Sequence, residues 1–262
     1  MCLIALGVQL RADVPLVLAA NRDEFFARST EAAQFWPDAP ELLAGRDLEQ
    51  GGTWMGLTWG DRTRGGRIAA VTNFREGGRP RNGRRSRGWL VRDYLLADLD
   101  PERYVRDLQR DGEQYDGFNL LVGAGDRIYY CSNRGGAPHR LSPGVHGLSN
   151  HLLNTPWPKV EQAKARLAAL ADAPIELLVE RLFELLADDR RAHDDELPRT
   201  GVSLEWERVL SSAFIRTADY GTRSSTVVLL HANGQAVFEE RGFGADGSQT
   251  HQRHYALPQI SP

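Results

Sequence analysis

The fold is decided by residues 2–26, which read CLIALGVQLRADVPLVLAANRDEFF. Two short apolar runs, residues 2–9 and 16–20, flank a polar stretch that ends at Pro15. Apolar runs of this length on either side of a turn are typical of a β-hairpin. The sequence therefore predicts a hairpin whose first strand begins at Cys2.

Further strands are predicted between glycine-rich turns, at residues 67–73, 119–123, 127–132 and 145–149, and a late hairpin joins residues 225–231 to 236–240 through Asn233-Gly234. Helices are predicted after Ser86 as N-cap, from Pro101, from Pro158 and over residues 175–186. Because strands follow strands and helices follow helices, we expect a layered α+β fold rather than a doubly wound parallel sheet.

The composition predicts one sizeable core. The chain has 262 residues, 41% of them hydrophobic, and we expect a single domain over residues 1–262 with a flexible polar tail from about residue 245. No run approaches the roughly 20 apolar residues of a membrane-spanning helix, and no signal peptide is recognisable. Only two cysteines are present, Cys2 and Cys131, which favours a reducing compartment and predicts a cytoplasmic location.

Several classes of ligand are not expected. A net charge of -3 is no reason to expect nucleic acid as a partner. Residues 123–125 read GAG but lead into a predicted strand, so no helix N-terminus is available for a dinucleotide. The histidines have no spacing typical of a zinc site. We therefore predict no cofactor and no metal, and the sequence leaves the oligomeric state open.

Cys2 is the most informative residue, because loss of Met1 would place a thiol and a free α-amine on one residue. An α-amine titrates at about 7.7 to 8.0, so near neutral pH it can accept the proton of the thiol, as in N-terminal nucleophiles. The alternative is that Cys2 is a small apolar residue at the start of a buried strand. Position alone favours this alternative.

Polar residues stand at the ends of several predicted strands, namely Arg22, Asp23, Asn73, Asn150 and Arg223. An arginine lowers the pKa of a nearby thiol, an aspartate can orient an α-amine, and asparagine amides are suitable donors to an oxyanion. The alternatives are ordinary turn, cap and ion-pair roles.

Six segments resemble a known family. They are, in chain order, residues 21–24 (NRDE), 51–56 (GGTWMG), 72–75 (TNFR), 86–88 (SRG), 148–150 (LSN) and 220–226 (YGTRSST). The pattern resembles the NRDE family, whose animal members are called transport and Golgi organisation protein 2, and it runs from Cys2 to about Leu230. That family is similar in turn to cysteine N-terminal-nucleophile amidases such as bile salt and penicillin acylases.

The resemblance implies a four-layer αββα sandwich of the N-terminal-nucleophile hydrolase type. Carried over by residue, Cys2 matches the amidase nucleophile, Arg22 and Asp23 its arginine and aspartate, Asn73 and Asn150 its two site asparagines, and Arg223 its late arginine. In the amidases the arginine and aspartate sit apart, whereas here they are adjacent and should project to opposite faces of a regular strand. This spacing argues against a joint role for the two residues.

Aromatic and basic residues adjoin the candidate site in sequence. Trp54, Trp59 and Phe74 are candidates to line an apolar pocket, and an arginine-rich loop over residues 75–92 includes Arg84, Arg85 and Arg87. Guanidinium groups bind carboxylates and phosphates, so we expect a small amphipathic ligand with an anionic head, such as haem or an acyl-coenzyme A. The alternatives are ordinary core aromatics and a solvated loop.

Two functions fit the sequence. In the first, the protein is a cysteine amidohydrolase or acyl thioester hydrolase, in which Cys2 attacks the carbonyl while Asn73 and Asn150 stabilise the oxyanion. In the second, it is a non-catalytic carrier or chaperone of an amphipathic metabolite, because the NRDE family is linked with haem movement, lipid handling and Golgi organisation. A site that binds acyl groups and one that cleaves them need the same pocket, so the sequence leaves both open.

Overall fold

The structure is a computed structural model that describes residues 2–60, 66–76 and 84–259. In this part of the chain the strands are β1 (Cys2–Val8), β2 (Leu16–Phe25), β3 (Thr30–Trp36), β4 (Ala39–Asp47), β5 (Met55–Thr58), β6 (Arg67–Asn73), β7 (Phe118–Ala124), β8 (Arg127–Ser132), β9 (His139–Arg140), β10 (Gly144–Leu148), β11 (Tyr220–Leu230), β12 (Ala236–Phe243) and β13 (Gln249–Leu257). The helices are α1 (Gly88–Leu96), α2 (Pro101–Asp111), α3 (Pro158–Ala168), α4 (Ile175–Leu186) and α5 (Leu204–Leu210).

The strands form two antiparallel sheets. The first sheet has the order β10-β1-β2-β11-β12-β13, and the second has the order β3-β4-β5-β6-β7-β8-β9. β1 and β2 pair directly, which confirms the N-terminal hairpin. Both are interior strands of their sheet, so residues at their ends are surrounded by other elements.

Three apolar cores hold the layers together. Leu18 and Leu57 belong to the core between the two sheets. Val17 and Leu182 belong to the core between the first sheet and the pair α3 and α4, and Tyr94 of α1 packs on the outer face of the second sheet. The layer order is therefore helix, sheet, sheet, helix. This α+β arrangement is compatible with the predicted sandwich.

The N-terminal hairpin is apolar on both faces because both faces are buried. In β2, Leu16, Leu18 and Ala20 face the second sheet, whereas Val17 and Ala19 face the helices. Successive side chains of a strand point to opposite faces. A strand covered on both sides therefore appears in the sequence as a continuous apolar run, and the same alternation governs the polar residues that follow.

Three of the predicted helices begin where the sequence places them. Asp100 caps α2 by accepting a hydrogen bond from the backbone N–H of Glu102 at 2.9 Å, and Pro101 occupies the first turn. α3 begins at Pro158, and α4 covers residues 175–186 with its apolar face on the first sheet. Within the described residues, no helix combines the length and the apolar character needed to cross a membrane.

The predicted cap of the first helix is wrong. α1 begins at Gly88 with Arg87 as its N-cap residue, and no described side chain caps it. The start of this helix is set by packing instead. The carbonyl of Gly88 accepts a hydrogen bond from Thr53 N–H at 3.2 Å, and a Cβ at Gly52 would lie 2.6 Å from the Gly88 carbonyl carbon. Ser86 lies just outside the helix.

The late hairpin is confirmed, since β11 and β12 pair around a turn in which Gly234 has a φ of 79°. β13 then pairs with β12 along its whole length, which differs from the flexible tail predicted from about residue 245. The segment is polar and mostly exposed, so it lacks the apolar alternation by which strands are recognised in sequence. Backbone hydrogen bonds to β12 hold it in the sheet.

Candidate functional site

Cys2 opens β1 and lies directly opposite Arg22 of β2. Residues paired across antiparallel strands share one face of the sheet, and here that face packs against the second sheet. The side chain of Cys2 is half-buried. Its backbone carbonyl accepts a hydrogen bond from Ser149 Oγ at 2.8 Å. The first residue of the strand is therefore held by β2 on one side and by the end of β10 on the other.

Arg22 is buried between the two sheets. Its guanidinium group lies 4.3 Å from the centroid of the Trp54 ring and donates a hydrogen bond to Thr30 Oγ1 at 3.3 Å. Burial lowers the pKa of Arg22, and the nearby Glu24 carboxylate opposes that shift. Among the described residues no carboxylate lies within ion-pair distance of Arg22. A buried positive charge thus lies next to Cys2, and no carboxylate of the described residues is close enough to form an ion pair with it.

Asp23 projects to the opposite face, as its adjacency to Arg22 predicts. Its Oδ1 accepts a hydrogen bond from Thr222 Oγ1 at 2.7 Å, and its backbone carbonyl accepts one from the Tyr220 hydroxyl at 3.1 Å. Burial raises the pKa of the Asp23 carboxyl, while Lys159 and the bond from Thr222 lower it. Asp23 therefore belongs to the helix-covered side of the first sheet and Arg22 to the side between the sheets.

A cavity of about 330 Å³ adjoins Cys2. Its lining includes five arginines (Arg22, Arg28, Arg84, Arg85 and Arg87), four acidic residues (Asp23, Glu24, Asp47 and Asp116), Trp54 and Asn73. We call it the Cys2 cavity. Of the twelve site residues predicted from the sequence, all except Asn150, Arg223, Trp59 and Phe74 line it. The elements β1, β2 and β6 and the loops before β5 and α1 bring them together.

The arginines of the Cys2 cavity differ in how their charge is compensated. Arg28 forms an ion pair with Asp47 at 2.6 Å, and Arg85 lies 3.7 Å from Asp93. Arg87 is half-buried and donates to the carbonyl of Gly117 at 3.2 Å. Burial lowers the pKa of Arg87, and no carboxylate in the described part of the chain lies within ion-pair distance of it. Arg87 thus resembles Arg22, because both line the cavity and neither forms an ion pair with a carboxylate that the structure describes.

The two asparagines predicted for the site have different positions. Asn73 lines the Cys2 cavity. Asn150 is fully buried, and its Nδ2 donates to the backbone carbonyl of Asn73 at 2.8 Å. The carbonyl of Asn150 accepts a hydrogen bond from Arg75 N–H at 2.6 Å. Asn150 therefore fixes the backbone at Asn73, and of the two asparagines only Asn73 lines the Cys2 cavity.

Arg223 faces a second cavity, of about 340 Å³, which also contacts Arg22 and Trp54. Thr222 pairs with Asp23 and Ser224 pairs with Arg22, so Arg223 is the extra residue of a β-bulge. Bulges change the direction of a side chain. The Arg223 guanidinium donates to the carbonyls of residues 25, 26 and 28 at 2.8, 3.2 and 3.0 Å. Arg22 and Trp54 line both this cavity and the Cys2 cavity.

The remaining predicted aromatic residues lie elsewhere. The Phe74 ring packs against His151, with 4.8 Å between the centroids. Trp59 is buried in the core between the sheets. Arg79 and Arg81 of the basic loop lie outside the described residues. Among those that the structure describes, no three His, Cys, Asp or Glu side chains are grouped to hold a metal ion.

The ionisation of Cys2 is governed by opposing contributions. Burial raises the pKa of the Cys2 thiol, and the Asp23 carboxylate raises it further. The backbone N–H of Asp23 and the Arg22 guanidinium lower it. The net direction is upward, so near neutral pH the thiol of this chain is mostly protonated. A reactive thiolate would need an additional proton acceptor.

Two polar clusters around Cys2 were missed in the sequence. One joins the sheets through Thr72, whose hydroxyl donates to the carbonyl of Ser149 at 2.6 Å and accepts from Asn119 Nδ2 at 3.2 Å. The other lies under the helices, where Arg75 and Glu207 form a buried ion pair at 2.8 Å. In the sequence, the first cluster is represented only by scattered Thr, Ser and Asn residues, which do not indicate that they lie together. The second joins residues 132 positions apart, which no local pattern could connect.

Lys159 lies close to the second cluster. It is 3% exposed, and burial lowers its pKa to about 8, against the attraction of Asp23 and Cys2 for its charged form. The only signal in the sequence is compositional, since Lys159 and Lys164 are the only lysines of the chain.

Comparison with known proteins gives a consistent result. Residues 1–245 match the family model described as Transport and Golgi organisation 2. The transport and Golgi organization protein 2 homolog of Bos taurus is 39% identical, over 88% of this chain and 88% of the relative. The Homo sapiens homolog is 36% identical over 86% of each chain. The Drosophila melanogaster transport and Golgi organization protein 2 is 31% identical, over 88% of this chain and 87% of the relative.

Proposed function

Since the chain belongs to the Transport and Golgi organisation 2 family, we propose that it binds an anionic amphipathic ligand, of which a long-chain acyl-coenzyme A is the best example, in the Cys2 cavity. The observation that carries this proposal is the pair Arg22 and Arg87, which line the cavity and have no carboxylate of the described residues within ion-pair distance. A desolvated charge is costly unless an opposite charge meets it. Phosphate and carboxylate groups meet guanidinium in a bidentate manner.

The rest of the lining supports the same ligand class. Trp54 presents an aromatic surface beside Arg22, and Asn73 lies within the same cavity as Cys2. An acyl thioester would place phosphate groups against the arginines and its carbonyl near Cys2. Haem is the alternative ligand, because its propionates need the same arginines and its iron needs an axial ligand such as the Cys2 sulfur.

Titration of the purified protein with a long-chain acyl-coenzyme A and with haem tests this proposal. We expect Arg87→Gln to weaken binding at least tenfold, because a charge-assisted hydrogen bond contributes about 1.5–3 kcal/mol. Arg103→Gln is the matched control, since Arg103 is an exposed residue of α2 that does not line the cavity. Equal affinity of both variants for both ligands would refute the proposal.

A second candidate function is cleavage of the bound acyl group, favoured by the position of Cys2 at the start of an interior strand and at the cavity wall. If Met1 is removed, the α-amine of Cys2 takes the thiol proton and the sulfur attacks the acyl carbon. The bond between that carbon and the leaving thiol then breaks, and the leaving thiol receives the proton. Water hydrolyses the resulting acyl-cysteine. The α-amine would supply the proton acceptor that the raised pKa of Cys2 requires.

With this second candidate function we also propose a more specific fold, an αββα sandwich of the N-terminal-nucleophile type. Its support is the layer order together with Cys2 as the first residue of β1. Intact-mass analysis decides it. We expect loss of Met1 and an acyl adduct after incubation with an acyl thioester, retained in Cys131→Ala and absent in Cys2→Ala. A protein that keeps Met1 and forms no adduct, yet binds the ligand, would be a carrier. The cytoplasmic location stays a prediction.

A further inference from the structure

Lys159 is a buried amine that the proposed function does not use. It lies in the first turn of α3, which packs on β1 and β10, and 3% of its surface is exposed. Among the described residues, no hydrogen-bond acceptor is within reach of Lys159 Nζ. Lysine is almost never fully buried without a partner. Because burying this lysine costs free energy, we looked for a function that would explain its position.

Lys164 of the same helix differs from Lys159, because it is partly exposed and has a hydrogen-bond acceptor. Its side chain is 24% exposed, and its Nζ donates to Glu161 Oε1 at 2.9 Å. The chain otherwise uses arginine for its positive charges. An arginine stays protonated at all relevant pH values, whereas a lysine can lose its proton when it is buried. Lys159 is thus a buried cation, on the helix-covered side of the sheet that carries Cys2, that can change its charge near neutral pH.

The charged and titratable groups around Lys159 come from five parts of the fold. Asp23 of β2 and the thiol of Cys2 in β1 favour its charged form, and Arg75 after β6 opposes it. Arg75 is in turn paired with Glu207 of α5 at 2.8 Å. The hydroxyl of Tyr220 in β11 closes the group by donating to the Asp23 backbone. Lys159 therefore interacts electrostatically with both the candidate nucleophile and the carboxylate behind it.

We propose that Lys159 is a positioning residue of the Cys2 site, whose ammonium group keeps the Asp23 carboxylate ionised and makes ionisation of the Cys2 thiol easier. This inference rests on the proposed function only in treating Cys2 as the reactive group. Burial alone favours the neutral forms of Asp23 and Cys2. A positive charge beside two acidic groups offsets part of that effect. Loss of the ammonium charge should therefore make both groups harder to ionise.

The first test measures Lys159 itself. With only two lysines, ¹³C-lysine labelling of the full chain gives two side-chain titration curves, which Lys164→Arg assigns. We expect Lys159 to titrate well below the ordinary lysine value of about 10.4, and its pKa to fall further in Asp23→Asn because an attracting carboxylate is lost. The proposal is wrong if Lys159 titrates at the ordinary lysine value, or if Asp23→Asn leaves its titration unchanged.

The second test measures Cys2. Iodoacetamide alkylation is followed against pH in wild type, Lys159→Gln, Lys159→Arg and the control Lys164→Gln. We expect about twofold slower alkylation of Cys2 near neutral pH in Lys159→Gln, because the thiol pKa rises when a nearby positive charge is lost. Lys159→Arg should restore the rate, and Lys164→Gln should match wild type. A purely structural role would lower stability without shifting the pH profile of Cys2.

The two proposals fail in distinguishable ways. If no acyl-coenzyme A or haem binds but Lys159→Gln slows alkylation of Cys2, the proposed function fails and the role of Lys159 stands. If the ligand binds and the pH profile of Cys2 is the same in Lys159→Gln and wild type, the role of Lys159 is refuted. Should Lys159→Gln not fold, the titration of Lys159 in wild type and Asp23→Asn still decides the question.

Discussion

Replacing Glu207 by alanine tests the buried ion pair that joins α5 to the neighbourhood of Cys2. Arg75 Nη1 lies 2.8 Å from Glu207 Oε2, and the two side chains are 5% and 4% exposed. Glu207 Oε1 also accepts hydrogen bonds from the backbone N–H and the hydroxyl of Thr200, at 2.8 and 2.6 Å. The substitution therefore removes the carboxylate facing a buried guanidinium and the acceptor of two further donors.

The expected loss follows from the burial. Removing one partner of a buried ion pair costs about 3–5 kcal/mol. With a denaturation slope of about 3 kcal/mol per M, the urea midpoint falls by about 1–1.7 M. The measurement is equilibrium unfolding in urea, followed by circular dichroism.

A matched control is an exposed ion pair made by a residue of the same helix. Arg208 pairs with Asp194 at 2.6 Å, but these side chains are 45% and 55% exposed, so Asp194→Ala should cost less than about 1 kcal/mol. If the Glu207 and Asp194 variants lose the same free energy of unfolding, the buried pair does not stabilise the fold, and our account of the polar cluster beneath Cys2 is refuted.

Two further predictions concern packing and pH. Gly52→Ala should lower the free energy of unfolding by about 1–3 kcal/mol, because its Cβ would lie 2.6 Å from the Gly88 carbonyl carbon; Gly136→Ala, whose Cβ would have no described heavy atom within 4 Å, should not. Lys159 has a folded-state pKa of about 8, below its ordinary 10.5, so its burial penalty is full below pH 8 and disappears as pH rises to 10.5. Lys159→Met should therefore be about 3 kcal/mol more stable than wild type near neutral pH, and the gap should close by pH 10.5. A gap that does not depend on pH would contradict this.

Local patterns predicted the elements that positioned the site. The hairpin of residues 2–26 and the helix over residues 175–186 were predicted because an apolar period and a turn signal are properties of adjacent residues. The same alternation placed Arg22 and Asp23 on opposite faces. The strands β3, β4 and β5, between residues 26 and 67, were not predicted from the sequence. β3 is a half-exposed edge strand and β5 has only four residues, so neither has a clear apolar pattern.

The composition of the site was predicted more fully than its geometry. Eight residues named from the sequence line the Cys2 cavity, because each stands at a strand end or in a loop at the same edge of the sandwich. The orientation of Arg223 depends on a bulge in β11, and the role of Asn150 depends on a hydrogen bond to Asn73 across 77 residues of chain. Residue type at a strand end does not reveal such contacts.

By itself the sequence determined the layered α+β class, the hairpin that begins at Cys2, the family and most of the residues around one cavity, because these depend on short-range periodicity and on motifs. Only the tertiary structure decided which arginines form no ion pair with a described carboxylate, that Arg75 is paired with Glu207, and that Lys159 is buried near Asp23. The physical reason is that burial and charge compensation are set by residues distant in the chain. A side chain's desolvation and its partners exist only once the layers have packed.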